Sequence, residues 1–208
     1  MKFGITNNHN KSGYSNQEIE KIGNTLIYLT ENVNGLTKTQ ALKFLYILDE
    51  FSIKKFGIPF IGLKYEVWQF GPVAQDIFVE LNEAQPKMLK DFISVELDRY
   101  QHYQFFYVKA VKEFNDDEFT DNDISILELV VNKYKGFSAT ELSELTHEKN
   151  SLWYNIALEN NLLEPFKNNR KRTSNHIIDF SIILDEEKEF IYRSYIENTE
   201  INRHYYNQ

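Results

Sequence analysis

The sequence predicts a mainly α, α+β fold: a compact helical domain around one central helix, with a small antiparallel β-hairpin. Three observations carry this. Capping boxes, a Ser or Thr followed three residues later by Glu, Gln or Asp, open apolar runs of helical spacing at Ser15, Thr37, Thr120 and Ser138. Only the region from Lys90 to Val111 alternates clearly with a period of two. The chain of 208 residues contains no cysteine, so it must be held by a real hydrophobic core and not by a disulfide framework.

Taken in order, residues 1–15 are expected to be disordered, because Asn, Ser, Gly and Lys dominate and nothing repeats. The box of Ser15 and Glu18 starts a helix to about Val33, with Ile19, Ile22, Leu26 and Leu29 on one face and Asn34-Gly35 as its stop. The central helix runs from Thr37 to Phe56. Ala41, Leu45, Leu48, Ser52 and Phe56 follow at helical spacing, and Phe44, Ile47, Phe51 and the stem of Lys43 widen the apolar face, so cover on more than one side is expected. Gly57 ends it. Pro59 forces Ile58 out of helical geometry, and 60–63 runs extended.

The stretch from Gly57 to Phe78 holds three of the eight glycines and two of the four prolines, which marks a shaped turn. Gly71 allows a sharp bend, and Pro72 is placed in the first turn of a short helix, with Val73, Ile77 and Leu81 on one face and an end before Pro86. Phe70 is assigned to the core. Trp68 is read either as core or as a surface anchor, since a Trp at a Gly-Pro turn can stay available for binding.

The hairpin from Lys90 to Val111 is given a loop at Asp98 to His102. The acidic stretch Glu113 to Asp123 is a linker or solvated cap. Helices follow from Thr120 to Lys135, from Ser138 to about His147, and from Ser151 to Asn161. This trio is read as a packing unit and not a DNA-binding helix-turn-helix, because SLWYNIALENN carries no Lys or Arg for phosphates or guanine edges. Lys167, Arg170, Lys171 and Arg172 form a basic loop after Pro165, either simply solvated or a contact for an anion or acidic partner. Asn175 to Leu184 is expected to be extended, and Asp185 to cap a final amphipathic helix with Phe190, Ile191, Tyr195 and Ile196. The organisation is then one domain over 16–198 with a C-terminal helical extension, and a tail over 199–208.

The 23 Lys and Arg against 31 Asp and Glu give a net charge of −8, which opposes a generic polyanion ligand and fits a basic partner. No stretch suits a membrane span or a secretory signal, so a cytoplasmic protein is expected. Cofactor and catalytic motifs are missing, and His9, His102, His147, His176 and His204 are scattered. His147 stands beside Glu148 but has neither nucleophile nor metal shell, and reads as a helix C-terminal His packed near Trp153. An enzyme is not expected, and no cofactor is assigned.

Two separated motifs resemble the Panacea, or SocA-like, antitoxin domain. The first is Leu42-Lys43-Phe44-Leu45-Tyr46, then Phe56-Gly57-Ile58-Pro59-Phe60, then Tyr65-Glu66-Val67-Trp68-Gln69-Phe70-Gly71-Pro72-Val73. It is similar to that family's helix bearing K-aliphatic-L-Y, its G-x-P, and its aromatic-G-P-V turn. The second is Phe137 to His147 with Trp153 beyond it, similar to S-x-x-E-L-S-x-x-T-H followed by P-W; Ser151-Leu152 stands where that Pro is expected. The resemblance spans roughly residues 20–160.

The resemblance implies the antitoxin half of a two-gene toxin–antitoxin module of bacteria or phages, which binds a toxin encoded by a neighbouring gene. One branch instead delivers its toxin to a Clp-type protease, so a proteolytic adaptor is the alternative, with a prophage-associated regulatory protein beside it. Partner-binding residues carried over on the motifs are Lys43, Tyr46, Tyr65, Trp68, Gln69, Thr146, His147 and Trp153; Gly57, Pro59, Phe70, Gly71 and Pro72 are the structural positions. No membrane partner is expected. Some relatives carry a DNA-binding domain ahead of the Panacea part; the residues before Ser15 are too few for one, so DNA binding is not expected without a partner.

Overall fold

Helix α2, Lys38–Phe56, lies at the centre of the molecule because the sequence makes it apolar on nearly every side. In a computed structural model, which describes residues 13–100 and 103–206, every residue from Gln40 to Asp49 is buried. Its N-terminus is closed by a complete capping box: Thr37 Oγ1 accepts from Gln40 N at 3.3 Å, and Gln40 Oε1 accepts from Thr37 N at 3.0 Å. Gly57 ends it in the left-handed region at φ 71°. Helices α4 (Asp121–Tyr134) and α5 (Ala139–Thr146), the C-terminal α8 (Glu186–Tyr206) and both sheets pack around it. Among the described residues there are eight α-helices and two antiparallel two-stranded sheets, a mainly α fold with small β-hairpins.

Helix α1 (Asn16–Asn32) buries Ile19, Ile22, Leu26 and Leu29 as its spacing requires. The expected disorder of residues 1–15 falls largely outside the described residues. The second hairpin joins β3 (Ile93–Tyr100) to β4 (Tyr103–Ala110) in a register that pairs Asp98 with Phe105 and Arg99 with Gln104. The expected loop at Asp98 to His102 is therefore too long. Backbone pairing does not depend on side-chain polarity, and the ladder continues through polar residues where the hairpin projects into solvent.

Pro72 is not in a helix. It lies in strand β2 (Gly71–Ala74), opposite Val67 of β1 (Tyr65–Trp68), and α3 (Gln75–Glu80) begins only after it. β2 is an edge, where a missing N–H costs no ladder bond. The other edge of β1 is closed from a hundred residues away: Val67 N donates to His176 O and Gln69 N to Arg172 O, both at 2.9 Å, while Ile178 N donates to Tyr65 O at 2.9 Å.

Four local expectations change at the C-terminal end. Pro165 sits inside the short helix α7 (Leu163–Lys167), at a first-turn position whose N–H has no helical partner to lose. Phe180–Ile183 is a 3-10 turn instead of extended chain. Phe190 is 75 % exposed, because α8 turns Ile191 towards Gly57 and Tyr195 towards Gly62, and a neighbouring residue points about 100° away. The helix continues past Asn198 to Tyr206.

Candidate functional site

The β1–β2 hairpin turns at Gln69-Phe70, and neither residue adopts positive φ; that burden falls on Gly71, at φ 106°. A Cβ there would stand 2.8 Å from Thr146 Oγ1 and closer still to Lys43 Nζ. Gly71 is thus the point where α2, the hairpin and the end of α5 meet. Lys43 is only 2 % exposed, and its ammonium donates to Pro72 O at 3.3 Å. Burial pulls its pKa down to about 7.

His147 braces the hairpin from the end of α5. Its Nδ1 faces Ser143 O and its Nε2 lies 3.2 Å from Gln69 O. Both partners are acceptors, so a neutral imidazole can donate to one only, whereas the imidazolium could donate to both. Burial lowers its pKa, and the charge of Lys43 acts in the same direction. Thr146 is buried and donates to Ser143 O at 2.8 Å.

Trp153, on α6 (Leu152–Glu159), is the second brace. Its indole N–H donates to Trp68 O at 2.8 Å, its ring meets His147 with centroids 3.9 Å apart, and Phe166 stacks on it at 6.0 Å. The Ser-Leu pair in place of a Pro leaves this turn intact: Ser151 caps α6 by accepting from Tyr154 N and donates to Thr146 O at 2.9 Å. The motif's His147 and Trp153 therefore meet the backbone of the hairpin turn at Gln69 O and Trp68 O, while Thr146 packs beneath Gly71.

At the tip, Gln69 turns sideways. Its Nε2 donates to Phe166 O and to Asn169 Oδ1, each at 2.7 Å, while its buried Oε1 has no donor. Trp68 is half-buried, its Nε1 donating to Glu66 Oε2 at 2.8 Å and its ring edge-on to Phe78 at 5.0 Å. Phe70 is 66 % exposed, which corrects its assignment to the core. The turn holds it outward because Gln69, and not Phe70, occupies the cleft against α7.

Tyr46 and Tyr65 belong to a neighbouring network that Asp49 organises. Asp49 is fully buried, and its carboxylate accepts from Ile61 N at 2.6 Å, Gly62 N at 3.0 Å, Leu63 N at 3.2 Å and the Tyr65 hydroxyl at 2.8 Å. Burial raises its pKa while these bonds oppose the shift. Tyr46 packs edge-on to Tyr65 at 5.2 Å, with Phe180 against both. This clamp fixes the loop that Gly57 and Pro59 begin. Asp49 was missed by the sequence reading, although a carboxylate four residues after Leu45 and four before Ile53 was the available signal.

Lys43, Trp68, Gln69, Gly71, Pro72, Thr146, His147 and Trp153 thus converge on one hairpin, while Tyr46, Tyr65, Gly57 and Pro59 surround the Asp49 clamp. Lys43, Tyr46, Tyr65, Thr146 and Trp153 are buried, so in this fold they shape the surface from beneath and do not form it. Among the described residues no group of three or more His, Asp or Glu is placed to hold a metal ion. No helix is long and apolar enough to cross a membrane.

Comparison with known protein families matches the chain to the family described as antitoxin SocA-like, Panacea domain, over residues 42–154. That span runs from α2 to α6 and contains the Asp49 clamp and both braces of the hairpin. No curated protein and no solved structure matches the chain. Since the match covers more than half of its length, this chain belongs to the SocA-like antitoxin family defined by the Panacea domain.

Proposed function

We propose that the chain is the antitoxin of a two-gene toxin–antitoxin module and neutralises its cognate protein toxin by direct binding. The observation that carries this reading is Phe70, a large apolar side chain 66 % exposed on a turn whose backbone is bonded by residues of the family-matched span. Lys43, His147 and Trp153 bond or pack against the backbone of that turn. A contact held in advance binds without a large ordering cost, which favours a protein surface over a flexible tail as its counterpart. Family membership supports a regulatory role for the chain.

The test is co-expression with the adjacent reading frame. That product alone should arrest growth, the pair should restore it, and the two proteins should co-purify as a stable complex. A neighbour that is harmless alone, or that stays separate on size exclusion, would overturn the reading.

A further inference from the structure

The basic loop after α7 is fastened to the residue that precedes Phe70. Gln69 N donates to Arg172 O at 2.9 Å, and its side-chain amide donates to Phe166 O and Asn169 Oδ1. The loop folds back on its own helix as well, with Arg170 N and Lys171 N both donating to Pro165 O. Residues 167–173 are all exposed. Among the described residues, Lys167, Arg170, Lys171 and Arg172 have no ion pair within 4 Å, a state they share with other exposed cations such as Lys87 and Lys90; what sets them apart is that four of the six consecutive positions 167–172 are cationic. Four unneutralised cations are therefore held beside one exposed aromatic in a chain whose net charge is −8.

We infer that Phe70 and the 167–172 loop form a single docking surface for an apolar pocket with an acidic rim on the partner protein. This rests on the antitoxin reading and specifies the partner's side of it. Whole-chain charge points to a basic partner; the tip reverses that sign locally, which fixes the orientation of docking. Phe70 supplies the desolvated anchor, and the cations steer the approach and penalise partners that present positive charge. A nucleic acid fits less well. The other 19 of the 23 Lys and Arg face all 31 acidic residues, so a phosphate backbone leaving the loop would meet a negative surface.

The experiment uses the full chain and the product of the adjacent reading frame. Phe70→Ala and the double variant Arg170→Glu, Lys171→Glu should each weaken the complex by at least about tenfold and lose growth rescue, with melting temperatures unchanged. The charge reversal should act mainly on the association rate and flatten its dependence on salt. A charge-matched control, Lys87→Glu with Lys90→Glu on an exposed stretch elsewhere, should bind as the wild type does. If the wild-type complex forms and both tip variants bind it within twofold, this surface is overturned and the antitoxin reading stands. If the wild type forms no complex, both fall. Binding of labelled single-stranded or duplex DNA at physiological ionic strength, lost on the Arg170 and Lys171 reversal, would overturn the protein partner in favour of nucleic acid.

Discussion

Gly71 is constrained twice, by a φ of 106° and by the space that Lys43 and Thr146 already fill. Gly71→Val should therefore cost several kcal/mol, more than the ~1–3 kcal/mol of backbone strain alone, and lower the thermal midpoint together with partner binding. The aromatic residues on either side of Gln69 separate stability from recognition. Trp68 is half-buried, bonded to Glu66 and packed on Phe78, so Trp68→Ala should lose about 2 kcal/mol, less than the ~3–5 kcal/mol of a fully buried aromatic. Phe70→Ala should stay within about 0.5 kcal/mol in a urea titration. Equal midpoint losses for the two would place Phe70 in the core after all.

At the scale of elements, capping chemistry was legible because it is local: Ser15, Thr37, Thr120 and Ser138 each form the complete box their sequence spells. The hairpin at Gly71-Pro72 was not. Its strands are four residues each, and β1 is stabilised on its second edge by residues 172–178, a partner that no window around Pro72 contains. The exposure of Phe70 was hidden for the same reason, since it depends on which turn residue α7 captures. Within the site, the motifs name Lys43, Thr146 and His147, but neither their meeting at Gly71 nor the burial of Lys43 and Thr146 can be read from residues a hundred positions apart.

Lys43 makes the junction of α2 and the hairpin sensitive to pH. Its folded pKa, about 7, lies below the unfolded value near 10.4, so the unfolded chain binds the extra proton throughout that window. The cost of burying Lys43 is then full below pH 7 and fades as pH rises towards 10, with a slope of at most about 1.4 kcal/mol per pH unit. Lys43→Met removes the titrating group and keeps its length. The stability difference between wild type and this variant should favour the variant most below pH 7 and narrow between pH 7 and 10. A difference independent of pH would show that the ammonium reaches water in the folded state.

At the scale of the whole molecule, the family-matched span and the folding unit are not the same. Residues 42–154 include the central helix and the hairpin, yet the far edge of β1 is bonded to Arg172, His176 and Ile178, and Tyr46 and Tyr65 are covered by Phe180. Cutting the chain after Leu162 would leave the N–H groups of Val67 and Gln69 and the Tyr65 carbonyl without their partners. It would also bare two tyrosines that are each 1 % exposed. Each orphaned polar group in a protected site costs ~1–3 kcal/mol, so the three together cost ~3–9 kcal/mol, a large share of the ~5–15 kcal/mol by which a domain is stable. Cutting after Leu184 is different, because it keeps this strand-like segment and the 3-10 turn and removes only α8, whose Phe190 is exposed and whose inner face is half-buried. The longer truncation product should keep its near-ultraviolet circular dichroism and a cooperative, lowered melting transition. The shorter one should lose both while retaining helical far-ultraviolet signal. A cooperative transition in the chain cut at Leu162 would mean that the hairpin is held by α2, α5 and α6 alone, and that residues 172–178 merely rest against it.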